Sequence, residues 1–254
     1  MASLRFVLVF ALCSFYGGTR AEDTSEGLTI IGGHNVSITD APYMAALYSK
    51  GKFVCGGTII HDMFVLTSAH CVRNSIKPRK VIIGADRLKA DDDKVVIGVK
   101  EEFCHENYHP DPETNDICLL KLYKPIPFGP KIAKVDLPSQ DFQIPGGLLV
   151  NVTGWGITSP SSQRIRAKKL QQVTIVTVSE SECLRYYPDL TDNLICAGSK
   201  GRDACRGDDG GPLTLYDTQI GVVSYEKGCG RVAGVYTKVS SYITWIKNTI
   251  EANL

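Results

Sequence analysis

Short runs of β-branched and aromatic residues alternate with clusters of Gly, Pro, Asn and Asp from residue 30 to about residue 239. The clearest runs are 64–67, 81–83, 95–99, 117–122, 148–152, 173–178, 220–224 and 234–239. Many short strands separated by turn residues predict a sandwich or barrel rather than βαβ units. Only the last segment has helical spacing. Tyr242, Ile243, Ile246 and Ile250 fall on one face while Lys247, Asn248 and Glu251 face elsewhere, which predicts a C-terminal helix packed by a single apolar stripe. Pro125, Pro127, Pro130 and Pro138, with Gly129, interrupt the middle of the chain. Proline is excluded from central strands, so this stretch reads as a connection between two β units.

Composition sets the frame for those units. The chain has 254 residues, 43% of them hydrophobic, enough for a substantial core. A formal net charge of +1 gives no reason to expect nucleic acid or a membrane surface as partner. Arg5, the apolar run 6–15 and the small residues around Thr19-Arg20-Ala21 read as a secretory signal peptide over 1–21. The run is too short to cross a bilayer, which takes about 20 residues. Residues 22–29 are short, polar and acidic and read as a propeptide. Nine cysteines less Cys13 of the signal leave eight, an even number that suits an oxidising, extracellular compartment. Eight cysteines allow about 105 connectivities, so parity assigns no bridge.

Several local features carry little chemistry. Asp91-Asp92-Asp93-Lys94 suggests calcium but lacks the alternating ligand spacing of a dedicated site, so neither metal nor cofactor is expected. Arg164-Ile165-Arg166-Ala167-Lys168-Lys169 reads as a solvated basic loop rather than a polyanion site. Asn35-Val36-Ser37 and Asn151-Val152-Thr153 match the N-glycosylation acceptor pattern. The second of these lies in an apolar run beside Gly154-Trp155-Gly156 and reads as less accessible.

Three stretches point to chemistry together. Thr67-Ser68-Ala69-His70-Cys71 ends an apolar strand with a histidine. Asp116 heads the apolar run 117–122, where an aspartate needs a strong partner to be tolerated. Further on comes Asp203-Ala204-Cys205-Arg206-Gly207-Asp208-Asp209-Gly210-Gly211-Pro212-Leu213. A lone histidine or aspartate is more often structural than catalytic. The order histidine, aspartate, nucleophile loop, however, is that of one group of triad hydrolases and not of others.

With Ile30-Ile31-Gly32-Gly33, Cys55-Gly56-Gly57, Asn115-Asp116-Ile117, Gly154-Trp155-Gly156 and Gly234-Val235-Tyr236-Thr237-Lys238-Val239 in the same order, the chain resembles the trypsin/chymotrypsin serine proteases from Ile30 to its end. The resemblance implies an all-β fold of two packed antiparallel six-stranded barrels, about 30–137 and 138–254, with a C-terminal helix. It implies that the site lies in the cleft between the barrels. His70 would be the base, and Asp116 would fix its tautomer. The N–H groups of Gly207 and residue 209 would form the oxyanion hole. Asp203 would sit at the base of the specificity pocket and take Arg or Lys side chains, with Ser224 at the cleft wall. Ile30, once freed, would pair with Asp208. The family's bridges carry over as Cys55–Cys71, Cys183–Cys196 and Cys205–Cys229. Cys104 and Cys118 are left over, as a fourth bridge or as two buried free thiols.

Three positions depart from the pattern. Asp209 stands where the family has its nucleophilic serine. Thr29 replaces the usual Arg or Lys before Ile30. Glu226 replaces a glycine at the pocket entrance, where it narrows the pocket, pairs with Arg206, or points away as a surface residue. The resulting expectation is a secreted, monomeric serine-protease homologue without peptidase activity, binding protein or peptide substrates, inhibitors or cascade proteases. The alternative is an active trypsin-like endopeptidase cleaving after Arg or Lys.

Overall fold

The computed structural model describes residues 30–73, 77–89, 94–157 and 166–254. The expected signal peptide and propeptide, Asp91–Asp93 of the acidic run, and Arg164 and Ile165 of the basic loop lie outside the described residues.

A two-residue strand β1 (His34–Asn35) precedes a closed antiparallel barrel. The barrel consists of β2 (Met44–Ser49), β3 (Lys52–Ile59), β4 (Phe64–Thr67), β5 (Lys80–Ile83), β6 (Val95–Cys104) and β9 (Cys118–Leu122), in the order β2-β3-β4-β9-β6-β5. Between β6 and β9, β7 (His109–Pro110) and β8 (Glu113–Thr114) form a separate two-stranded ribbon. The second half contains β10 (Leu149–Gly154), β11 (Gln171–Val178), β12 (Leu194–Ala197), β13 (Pro212–Leu215), β14 (Thr218–Tyr225) and β15 (Gly234–Lys238). These run β11-β10-β13-β14-β15-β12 and close through the β11–β12 pair, so the second barrel also has six strands. β1 adds to the outside of β11.

Burial follows the patterning. In β11, Gln171, Val173, Ile175 and Thr177 point in while Thr174 and Val176 are exposed, the period-two alternation of a half-buried strand. β4 and β9 are buried at every position, including the polar Thr67 and Lys121. The C-terminal helix α3 (Ile243–Ala252) follows a 3-10 turn, Val239–Tyr242. Ile243 and Ile246 are buried, and Lys247, Asn248 and Glu251 are exposed, as the spacing predicts. Two further helical turns, α1 (His70–Arg73) and α2 (Glu180–Cys183), are four residues each and too short to show a period. The Ser179 hydroxyl caps α2 by accepting the Glu182 N–H.

Each barrel has its own interior. Leu47, Ile59, Val65, Ile97 and Leu120 fill the first, and Val152, Ile175, Leu213, Ile220 and Tyr236 the second. A third cluster joins them. Met44, Phe64 and Leu119 of the first barrel meet Trp155, Val222 and Val239 of the second, and Tyr242, Ile243 and Ile246 seal the contact.

The eight cysteines beyond Cys13 are all paired: Cys55–Cys71, Cys104–Cys118, Cys183–Cys196 and Cys205–Cys229. Cys104 and Cys118 stand directly opposite on β6 and β9, which resolves the two leftover cysteines as a bridge. Replacing both with alanine should lower stability to urea by about 3 kcal/mol, the loop-closure value for a loop of about 15 residues. Urea unfolding against wild type checks this, and non-reducing peptide mapping should recover the 104–118 link; free thiols there would contradict the pairing.

Candidate active site

His70 begins α1 directly after β4, and Asp116 lies two residues before β9. The antiparallel β4–β9 pair, with Thr67 opposite Cys118, brings the two together. The His70 backbone N–H donates to Asp116 Oδ1 at 2.8 Å, and its Nδ1 lies 2.7 Å from Oδ2. Ser224 at the end of β14 donates to the same Oδ2 at 2.6 Å. Thr237 of β15 donates to the Asp116 carbonyl at 2.8 Å. Asp116 is fully buried and its carboxylate is satisfied by donors from both barrels. The Ser224 hydroxyl is therefore committed to Asp116 and buried. It is not a free nucleophile in the cleft.

The loop 203–211 closes the other side of the site. Asp208 is fully buried, accepting from Gly156 N–H at 2.8 Å and Cys205 N–H at 3.0 Å. This explains Gly154-Trp155-Gly156. A Cβ at Gly154 or Gly156 would stand 2.2 or 2.3 Å from an Asp208 carboxylate oxygen, so only glycine lets the carboxylate in. Burial raises the Asp208 carboxyl to about 7. The two N–H donors and Arg166 oppose that rise, and the charge of Asp209 adds to it. Ile30 is fully buried in the second barrel's core.

Asp209 does not lie idle in this loop. Its Oδ2 accepts the Gly207 N–H at 2.9 Å, one of the two N–H groups expected to form an oxyanion hole. Its carbonyl accepts Gly56 N–H from the first barrel at 2.8 Å. The carboxylate at position 209 thus occupies a donor that would otherwise face the cleft.

The electrostatics follow from that crowding. Burial works against charge on His70, but the Asp116 hydrogen bond and the charges of Asp116, Asp209 and Glu113 outweigh it and hold the imidazole at about 9. His70 is therefore an imidazolium at neutral pH. Burial and the charges of neighbouring carboxylates lift Asp203, Glu113 and Glu226 to about 7 each. Asp203 is fully buried; its Oδ2 accepts Gly230 N–H at 3.1 Å, and its Oδ1 has no partner.

Glu226 is half-buried and feels the charges of Asp209, Arg206 and His70. This corrects two of its expected placements. It is not a bare surface residue, and no ion pair with Arg206 within 4 Å occurs among the described residues.

Glu113 is the site residue the sequence did not reveal. It sits on β8, and no motif or spacing marks it. Only the β7–β8 ribbon brings its carboxylate near His70. Ligand atoms of His70, Glu113 and Asp116 lie within 4.8 Å of one another, but Asp116 is already spent on His70 and Ser224. Two free donors are too few for a dedicated divalent site. Of the two acceptor asparagines, Asn35 is exposed on β1, whereas Asn151 is half-buried on β10 between β11 and β13, its Oδ1 accepting from Thr174.

The comparisons agree with this geometry. The family profile described as Trypsin matches residues 30–246. The chain is 36% identical to mast cell protease 3 of Ovis aries over 256 aligned positions, covering 96% of this chain and 95% of that protein. It is 35% identical to duodenase-1 of Bos taurus (89% and 91% covered) and 33% identical to trypsin delta of Drosophila erecta (96% and 98%). Two six-stranded barrels, four bridges and a histidine–aspartate pair at their junction thus accompany a match over most of the length: the chain belongs to the trypsin family.

Proposed function

We propose that this protein is a secreted binding member of the trypsin family without peptidase activity. Its cleft would hold protein or peptide ligands, among them the substrates or inhibitors of active proteases. The observation that carries this reading is the Asp209 carboxylate seated on the Gly207 N–H. It blocks three requirements of acyl transfer at once. Position 209 has no hydroxyl to attack. His70, raised to about 9 by Asp116 first and by Asp209 in addition, is made a poorer proton acceptor at neutral pH. The donor that would stabilise a developing oxyanion is already engaged, and a second negative charge there would be repelled by the first. The loss of the nucleophile alone is large: in subtilisin, an unrelated triad protease, it lowers kcat about a millionfold.

The other expectations extend this reading. Four bridges suit an oxidising extracellular compartment. Thr29 before Ile30 argues against the usual activating cleavage. Asn35, being exposed, is the better glycan acceptor of the two. Two observations favour a second reading, a working endopeptidase cleaving after Arg or Lys: the His70–Asp116–Ser224 geometry is intact, and Asp203 is a buried carboxylate with an unpartnered oxygen. That reading still lacks a nucleophile, since Ser224 is committed to Asp116.

The pKa shifts set the pH dependence of stability. The folded pKa of His70 lies above its unfolded value of about 6.5. Its contribution is therefore complete below that pH and is lost as pH rises through about 9. The lifted carboxylates act in the same direction. Stability held in their protonated forms is complete below about pH 4 and is lost as pH rises through about 7.

Four measurements test these statements. A fluorophosphonate probe, which labels activated serines, should leave the secreted protein unlabelled; labelling that His70→Ala abolishes would overturn the proposal. Asp209→Ser, with Ile30 made the N-terminus, should gain cleavage after Arg or Lys by at least about a thousandfold over wild type. If this variant folds normally and stays inactive, Glu226 rather than Asp209 is the decisive change. NMR titration should find His70 near 9 in the wild type and lower by about one unit in Asp209→Asn; an unmoved value would mean that Asp209 adds nothing to that charge. Finally, Glu226→Gln should raise the Tm at about pH 8 and leave it unchanged at about pH 4, as read by calorimetry.

A further inference from the structure

Glu113 faces two ways. On one side its carboxylate lies beside His70 and Asp116. On the other it lines, with Pro110, Pro112, Tyr187, Asp189 and Tyr225, a cavity of about 280 Å³ that adjoins the cleft. Oε2 of Glu113 is buried and has no hydrogen-bond partner. Other polar groups of this wall are engaged. Lys227 donates to the Tyr186 carbonyl at 2.6 Å, and its ammonium lies 4.9 Å from the centre of the Tyr187 ring. The Tyr187 hydroxyl donates to the Ala233 carbonyl and accepts the Lys227 N–H. Apart from the engaged Lys227, the side chains lining the cavity are acidic, aromatic or apolar. Proline and tyrosine walls suit the apolar stem of a Lys or Arg side chain, and a carboxylate without a donor suits its tip.

An independent observation in the same cleft asks for the same chemistry. Asp203 is fully buried and its Oδ1 has no partner. That oxygen lies 3.0 Å from where a Cβ would stand on either Gly198 or Gly234, so a side chain at either position would crowd the carboxylate. Two buried carboxylate oxygens without donors are costly, and basic side chains would satisfy both.

We infer that the cleft takes an extended protein segment carrying two basic side chains, one directed to Asp203 and the other to the Glu113 cavity. The inference rests on the proposed binding role of the cleft and adds Glu113 as its second specificity-determining residue. The apolar walls select a polypeptide over a polyamine, because they offer contact area to the chain between the charges.

The test uses the full secreted protein and fluorescent peptides of about ten residues carrying two arginines at adjacent, one-apart or two-apart positions. In matched controls, citrulline, a neutral isostere, replaces one arginine or both. By fluorescence anisotropy, the best two-arginine peptide should bind at least about tenfold more tightly than its single-arginine counterparts. Glu113→Gln should erase that advantage, with circular dichroism and the Tm showing that the variant is folded. Glu113→Lys should make the two-arginine peptide the weaker binder. Asp203→Asn should weaken both peptides. An advantage that survives in Glu113→Gln and Glu113→Lys overturns the inference and leaves the binding role standing. Absence of binding by every peptide, or binding indifferent to Asp203→Asn, overturns the cleft reading itself and the inference with it. Displacement of the peptide by spermine as effectively as by unlabelled peptide overturns the choice of a polypeptide occupant.

Discussion

The architecture turns on one buried charge. Asp116 is fully enclosed at the junction of the barrels, where it accepts two hydrogen bonds from His70 and one from Ser224, with Thr237 on its carbonyl. Its neighbour Asn115, in the left-handed region at φ 50°, accepts from Tyr242 at 2.9 Å and Asn193 at 3.1 Å. These partners come from β14, β15, the turn before α3 and the loop before β12, so one short segment registers the first barrel against the second. A buried ion is tolerated only when its donors are all in place, and loss of one partner typically costs about 3–5 kcal/mol. His70 therefore has a structural reason to stand where it does, whatever chemistry follows. The pair survives a change at position 209 because it also holds the barrels in register.

The exchange of serine for aspartate alters the charge balance around that pair. One imidazolium is set among Asp116, Asp209 and Glu113, with Glu226 close enough to be felt. Burial first, and neighbouring carboxylates in addition, hold the protons of Asp203, Asp208, Glu113 and Glu226 up to about pH 7. Such a cleft favours an arriving positive charge over a negative one. It also disfavours an oxyanion, the species that an acyl-transfer site has to stabilise. Under the proposed reading, the same crowding that disfavours acyl transfer favours a basic ligand.

Much of this is legible in the residues. The run 64–67 coincides with β4, and the chain order of His70, Asp116 and the 203–213 loop already points to the cleft. The strands that patterning does not reveal are hidden for physical reasons. In β3, Cys55-Gly56-Gly57 looks like a turn, yet Gly56 lies within a strand because a Cβ there would meet the Gly211 backbone at 3.1 Å. β13 opens on Pro212, which a sequence reading treats as a breaker. Glu113 is invisible because its role depends on where the β7–β8 ribbon folds, and nothing local to residues 109–114 encodes proximity to His70. Patterning reports burial along the chain; a contact across a ribbon belongs to the tertiary fold.

Position 209 also shows why aspartate, among residues without a nucleophilic hydroxyl, fits this loop. The N–H of Gly207 points at the site whether or not chemistry occurs, and a part-buried donor without an acceptor carries a cost. Alanine would leave that cost in place. Aspartate removes it, because its Oδ2 reaches back two residues to the N–H at 2.9 Å. An anion-binding loop is thus satisfied by an anion of its own, and it needs neither a substrate nor a tetrahedral intermediate to be so. Asp208 anchors the loop to the second barrel through Gly156 and Cys205. Asp209 pins it from the cleft side, with its carbonyl on Gly56 of the first barrel. Held at both ends, the loop is fixed to both barrels at once.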